Sequence, residues 1–426
     1  MADVFKSLPE GVQAELHRRI LRSRGVRFQN SMFEGTSESG HGLSTVRVIQ
    51  SGKMATSTGT KPGAEATLLK DALELSKYGT SVDYCFRGPS ELNEIELASP
   101  GVLETDFPEM IDIGDDLLQS LLRIDKNIRA SASVGAQEVE VVLQNSNGFS
   151  GKYKKTVFRA SLGAQYIQGD DFLRFGEFRS SWANDIDYEG LKNEVAKLFE
   201  WSKETTDIQP GAYPVIFAPG QIGNLIRPFI ASLNGKAVAR GISPLEEKLG
   251  EQILDPRVTL IDDGTLPREI SSAPFDREGV PTQRNVLIDK GVPRQVLTDL
   301  ETARQLGLKP TGNGSGSGPQ PHRVILTPGE ASVDELVSDI DFGLIVFVTM
   351  GAWTGNPFGG NVSGTVSLGL KIEKGKIAGR VKNCMFSLNS FEHFRDRLIA
   401  LSKDTKAVGD ATYPYVALND VVITTG

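Results

Sequence analysis

In segment 8–24, Val12, Leu16, Ile20 and Leu21 recur at spacings near one helical turn, which predicts a helix. The period then changes. Residues 42–60, GLSTVRVIQSGKMATSTGT, alternate around Ser51-Gly52-Lys53 and predict a hairpin. Helical spacing returns over 62–79, with Pro62 near the start and Gly79 just past the end, where helices favour them. Between 85 and 113, Pro89, Pro100 and Pro108 predict irregular chain, and 114–128 then reads as a helix. Residues 139–168 predict long strands joined at an Asn147-Gly148 tight turn, and 188–204 predicts a further helix.

Near residue 206 the segment TTDIQPGAYP has the character of a linker. Beyond it, 213–219 predicts a short buried strand, 221–234 and 244–253 predict helices, and 258–264, 284–299 and 342–350 predict strands. Strands at 364–373 and 376–381, a helix at 391–402 and a last strand at 415–424 complete the pattern. No repeat of solenoid period is present. The expected fold class is α+β in two domains: an N-terminal α/β domain over 1–205 and a β-rich C-terminal domain over 206–426.

Composition narrows the function classes. Of 426 residues, 46 are Lys or Arg and 54 are Asp or Glu, giving a net charge of −8. An acidic chain is a poor partner for nucleic acid, whose phosphates need clustered cations. The arginines at 18, 19, 22, 24 and 27 are such a cluster, but without interleaved aromatics they read as the solvated face of the first helix. No apolar run is long enough to span a membrane, and the first residues lack the basic-then-apolar order of a signal peptide. The two cysteines, Cys85 and Cys384, read as free thiols of a reducing compartment, so a cytoplasmic location is expected.

Few motifs carry chemistry by themselves. A phosphate-binding loop and a Gly-x-Ser-x-Gly elbow are both absent from the sequence. The pairs Asp170-Asp171, Glu246-Glu247 and Asp262-Asp263 read as turn and surface charges, because neighbours on a strand point to opposite faces. Glu392, His393 and Asp396 read as an exposed helix face, since a closed zinc site needs about four ligands. Two glycine-rich loops stand out, TGNGSGSGPQP (311–321) and GAWTGNPFGGN (351–361). Such loops either connect hairpins or let backbone approach a ligand closely.

The run 271–314 carries a family resemblance. In order it holds Pro274-Phe275-Asp276-Arg277-Glu278-Gly279-Val280, Asp289-Lys290-Gly291-Val292, Ala303-Arg304-Gln305-Leu306-Gly307 and Thr311-Gly312-Asn313. These blocks resemble the TldD/PmbA family, also labelled modulators of DNA gyrase. Looser likenesses at 51–59, 143–148 and 371–377 extend it over most of the chain. The resemblance implies a peptidase of small or unfolded peptides, built as a TldD–TldE heterodimer. Its TldD-type subunit holds zinc through His-Glu-x-x-x-His on a helix and a later cysteine. Aligned on that helix, the two histidine positions here are Ile226 and Ala231 and the glutamate position is Arg227. Neither Cys85 nor Cys384 matches the family cysteine.

The resemblance therefore implies a PmbA/TldE-like, metal-free and non-catalytic subunit. Zinc is expected only in a TldD-type partner, and peptide hydrolysis only with that partner present. The glycine-rich loops become candidates for lining the peptide cleft, with Thr311, Gly312, Asn313, His322, Gly351, Thr354, Gly355 and Asn356 as the residues to locate. An alternative from a different class is a homodimer that binds peptides or another ligand without catalysis.

Overall fold

The computed structural model describes Phe5 and residues 8–169, 171–352 and 354–425. Asp170 of the Asp170-Asp171 pair, and Trp353 in the second glycine-rich loop, lie outside the described residues. The first half runs β1 (Gln13–Gln29), β2 (Met32–Gln50), β3 (Lys53–Gly59), α1 (Glu65–Leu75), β4 (Thr80–Ser81) and α2 (Phe107–Leu122). It continues through β5 (Arg129–Asn145), β6 (Ser150–Gln168), β7 (Asp171–Ser181) and α3 (Tyr188–Ser202). The strands form a seven-stranded antiparallel sheet in the order β4-β3-β2-β1-β5-β6-β7.

Alternation explains how this sheet is covered. Even-numbered residues of β1 and β5 turn toward the helices. Ala14 and Leu16 pack with Leu68, Leu69 and Ala72 of α1, while Val26, Phe28, Ala130 and Val134 pack with Met110, Leu117 and Leu121 of α2. Burying each large side chain of this kind stabilises the fold by about 1.5–3 kcal/mol. At Gly114 of α2 an added Cβ would sit 2.4 Å from the Phe28 ring, so the residue lets helix and sheet approach.

The helix expected over 8–24 is instead strand β1, and the arginine cluster lies along it. Arg22 pairs with Glu138 of β5 and Arg24 with Glu38 of β2, both across strands. The helical spacing misled because Glu15 and His17, polar and odd-numbered, face the second domain rather than water. Helix α2 also begins earlier than expected. Pro108 occupies its first turn, where no N–H is needed, and Asp106 caps it by accepting from the Glu109 N–H at 2.9 Å.

The second half comprises β8 (Thr205–Thr206), β9 (Gly211–Phe217), α4 (Pro219–Ser232), α5 (Gly235–Ala239), β10 (Leu260–Asp263), β11 (Arg284–Asp289) and β12 (Val292–Pro293). There follow α6 (Leu300–Leu306), β13 (Val324–Leu326), α7 (Val333–Ser338), β14 (Phe342–Met350), β15 (Asn361–Glu373) and β16 (Lys376–Val381). β17 (Cys384–Asn389), α8 (Ser390–Asp396), β18 (Leu398–Val408) and β19 (Ala411–Thr425) end it. Two helix expectations fail here. Residues 244–253 hold only a short 3-10 turn at Glu246–Lys248, and 391–402 divides into α8 and β18, which pairs with β19.

Strands β19, β9, β14, β15 and β17 pair in a closed ring, because β17 joins both β15 and β19. Closure removes the open edges of those strands. Phe217, Val346, Val366, Phe386 and Val416 belong to one core with Ile222, Leu225, Ile226 and Phe229 of α4. The fold is thus mixed and strand-rich, in two domains. Among the described residues no helix is long and apolar enough to cross a membrane.

The domains meet through buried charge. Glu15 Oε1 accepts from Arg47 Nε at 2.9 Å and from Arg277 Nη1 at 3.0 Å, and Glu278 Oε1 lies 3.6 Å from Arg47 Nη1. The Arg47 guanidinium also lies over the Phe86 ring at 5.3 Å. Beside this cluster Phe275 contacts Phe149 and Tyr153 edge-on, at ring separations of 5.4 and 5.3 Å. Replacing Glu15 by Ala leaves two arginines without their shared carboxylate and is expected to destabilise the chain by about 3–5 kcal/mol in denaturant unfolding. Arg24→Ala, at an exposed pair, should cost under about 1 kcal/mol. Equal losses for the two variants would refute the difference.

Candidate functional site

Helix α4 occupies the place where the resemblance puts a metal helix. Its start is set by Pro219 in the first turn and its packing by the apolar stripe already described. Ile226 belongs to that stripe, only 2% exposed. Arg227 emerges on the outer side and its Nη1 donates to the Gly355 carbonyl at 3.4 Å. An alkyl group in the core and a guanidinium at the surface do not fit a cation site. Among the described residues no group of three or more His, Cys, Asp or Glu side chains is placed to hold a metal ion.

The eight candidate cleft residues fall into two groups. Gly351, Thr354, Gly355 and Asn356 belong to the loop before β15, with Thr354, Gly355 and Asn356 exposed. Thr354 Oγ1 donates to the Gly351 carbonyl at 2.8 Å, and Asn356 Oδ1 accepts from the Phe358 N–H at 3.1 Å. Through Arg227 this loop leans on α4.

Thr311, Gly312, Asn313 and His322 form the second group, which is part of a buried network. Asn313 Nδ2 donates to Asp262 Oδ2 at 2.6 Å, and its Oδ1 accepts from Asn285 Nδ2 at 3.1 Å and from Thr311 Oγ1 at 2.8 Å. His322 donates Nε2–H to the Gly312 carbonyl at 2.7 Å, a carbonyl being able only to accept. Gly312 has φ +75°, and a Cβ there would meet the Pro281 carbonyl oxygen at 2.4 Å, so only glycine fits. Asp262 and Asp263, expected as turn and surface charges, are instead buried on β10. Asp262 Oδ1 accepts from the His322 and Arg323 N–H groups, and burial raises its pKa. His393, expected on an exposed face, is also mostly buried, with Nδ1 donating to the Asn389 carbonyl at 2.9 Å.

Sequence reasoning met Asp276 only as part of the family block at 274–280 and did not single out His17 or Lys155 as site residues. Asp276 lies at the centre of the turn 274–280. Its Oδ1 accepts from the Glu278 and Val280 N–H groups at 2.8 and 2.9 Å, and its Oδ2 from Gly314 N–H at 2.6 Å. Burial and the nearby Glu278 carboxylate raise its pKa to about 7, against the three N–H groups that favour the anion. On β1, His17 is pushed down to about 3, first by burial and then by Arg277, Arg47 and Arg19, so it stays neutral. Burial also lowers Lys155, whose Nζ donates to the Ile270 carbonyl at 3.1 Å. For His17 the available signal was the parity of β1, where Glu15 and His17 alternate with Ala14 and Leu16.

Comparison with known proteins agrees with this architecture. The PmbA/TldA metallopeptidase C-terminal domain matches residues 210–425, and the PmbA/TldA metallopeptidase central domain matches 101–202. Metalloprotease PmbA of Escherichia coli O157:H7 is 28% identical over 320 residues, covering 70% of this chain and 67% of that protein. The metalloprotease TldD homolog of Buchnera aphidicola (subsp. Acyrthosiphon pisum) is 28% identical over 227 residues, 48% of this chain and 47% of its own length. The match thus spans about half of that relative. The crystal structure of TldE from Thermococcus kodakarensis superposes with a TM-score of 0.88 at 22% identity, covering 97% of this chain and 96% of that one. The superposition establishes a shared fold.

His17 and Asp276 make opposite contributions to stability with pH. The folded chain binds the Asp276 proton more tightly than the unfolded chain does, so this contribution is complete below about pH 4 and is lost as pH rises to about 7. His17 binds its proton less tightly when folded, so its contribution is present above 6.5 and is lost as pH falls to about 3. Relative to wild type, Asp276→Asn should therefore gain stability with rising pH between about 4 and 7, and His17→Gln should lose it between about 3 and 6.5. Each slope is at most about 1.4 kcal/mol per pH unit, the value for one proton. Unfolding free energies measured across this range test both signs, and parallel curves for both variants and wild type would refute them.

Proposed function

Because this chain belongs to the PmbA/TldD metallopeptidase family, we propose that it is the PmbA/TldE-type subunit of a two-component zinc peptidase, non-catalytic by itself. The observation that carries this reading is the character of α4. Hydrolytic zinc requires imidazole, carboxylate or thiolate ligands and an open position for water. Ile226, Arg227 and Ala231 supply none of these, and a guanidinium repels a dication. In this reading a TldD-type partner brings zinc, its ligands and the general base.

The present chain contributes shape and backbone. The glycine-rich loop, exposed at Thr354, Gly355 and Asn356, offers main-chain groups to an extended peptide, a mode that suits small or unfolded substrates because it reads no particular side chain. The buried network behind Asn313 and His322 fixes the other loop at its base. We place the complex in the cytoplasm, where both thiols stay reduced.

Co-expression with a TldD-type subunit tests the assignment. The expected result is a 1:1 complex in light scattering, with one zinc per heterodimer and chelator-sensitive cleavage of an unstructured peptide. The chain alone is expected to hold no stoichiometric zinc and to leave the peptide intact. Chelator-sensitive cleavage by the purified chain alone, or a stable homodimer that ignores the partner, would overturn the assignment.

A further inference from the structure

Between the first sheet and the loops of the second domain lies a cavity of about 310 Å3. One wall comes from β1, β5 and β6 through His17, Val141, Tyr153 and Lys155, and the other from the segments around 271–277 and 313–322. Most of its charged groups are already engaged. Arg277 is held by Glu15, inside the cluster of two arginines and two glutamates that joins the domains. The Asp276 oxygens are taken by three backbone N–H groups, and its carboxyl retains a proton close to neutrality. His17 is neutral.

Lys155 remains. Its half-buried side chain hydrogen-bonds through Nζ to the Ile270 carbonyl at 3.1 Å; the Asp410 carboxylate acts on the ammonium from a distance, but among the described residues no carboxylate forms an ion pair with it. A second observation points the same way. Ser271, the residue after that carbonyl, also lines the cavity, and its Oγ is shielded from water and has no hydrogen-bond partner. Both a buried ammonium without a direct ion-pair partner and an orphaned hydroxyl are costly in a protein interior, and one ligand group would satisfy the two together.

We propose that this cavity binds the carboxylate of an amino acid or short peptide, with Lys155 as its counter-charge and Ser271 donating to it. The neighbouring Val141 and Phe275 side chains supply an apolar wall for the adjoining aliphatic part. A carboxylate is favoured over a phosphate because Lys155 is the one lining cation not already ion-paired, and a dianion would leave excess negative charge beside Asp276 and the nearby Asp410. The choice of a peptide as bearer of the carboxylate rests on the peptide-handling role proposed above, whereas the anion site itself does not.

Calorimetric titration of the full chain with alanyl-alanine, its C-terminal amide and inorganic phosphate tests the site. The free acid is expected to bind at 1:1, and the amide and phosphate about tenfold more weakly or worse, the worth of one charge-assisted hydrogen bond. Lys155→Met should weaken the acid about tenfold or more. Ser271→Ala should weaken it a few-fold while leaving the unliganded Tm unchanged or higher. Should Lys155→Met fail to fold, Ser271→Ala and the acid–amide comparison decide the matter. No binding of the acid, equal binding of acid and amide, preference for phosphate, or full affinity in Ser271→Ala would each overturn the proposal. The lone chain's titration reads only this cavity, whereas complex formation and zinc content read only the subunit role, so either can fail without the other.

Discussion

Glu15 is wholly buried, yet it holds together two arginines from different domains. Its removal from water would be prohibitive without Arg47 and Arg277, and theirs without Glu15 and Glu278. Two positive and two negative charges therefore close on one another, and they do so only when the first sheet and the 274–280 turn are in register. The cluster acts as a positional lock between the domains. Hydrophobic contacts around it, such as Phe275 against Phe149 and Tyr153, tolerate small displacements. A network of directed hydrogen bonds tolerates them less.

The lock explains why the 274–280 turn is chemically dense. Phe275 fills a gap at Gly151, where a Cβ would lie 2.6 Å from the ring, while Arg277 and Glu278 join the charge cluster. Asp276 gathers the backbone of its own turn and that of Gly314. Through Gly314 the order passes to Asn313, Asp262 and His322, so the base of the glycine-rich loop is as firmly held as a core element. Its tip, at Gly316 and Ser317, is exposed, as is Gln320 near its far end. Perturbed groups such as His17, Asp276 and Lys155 gather here because a polar interface has been buried.

At α4 the same economy of burial produces the opposite chemistry. The helix seals the core of a closed strand ring, so its inward residues are apolar by necessity. A metal site on such a helix needs ligands on the side turned toward solvent or a partner. This chain carries Arg227 there, bonded to the loop at Gly355. The interdomain cavity and the α4 surface are thus distinct environments, one poised for an anion and the other occupied by a cation of the chain itself.

Periodicity in the sequence marked the β2–β3 hairpin, the β5–β6 pair with its Asn147-Gly148 turn, α1, α3 and the core of α4. In the helices the buried face is apolar and the opposite face meets water, and in the two strand pairs alternation stays legible even where Arg47, Val141 and Tyr153 turn toward the second domain. The blocks at 271–314 likewise marked the family from residues alone. Tertiary structure decided the rest. β1 passed for a helix because its second face is buried against charges rather than against hydrocarbon. β18 passed for part of a helix because its pairing with β19 lies outside any local window. Asp262 passed for a surface charge because its partners, Asn313 and the backbone at 322–323, are remote in sequence. A buried polar group is defined by what it touches, and a linear pattern records only what it is.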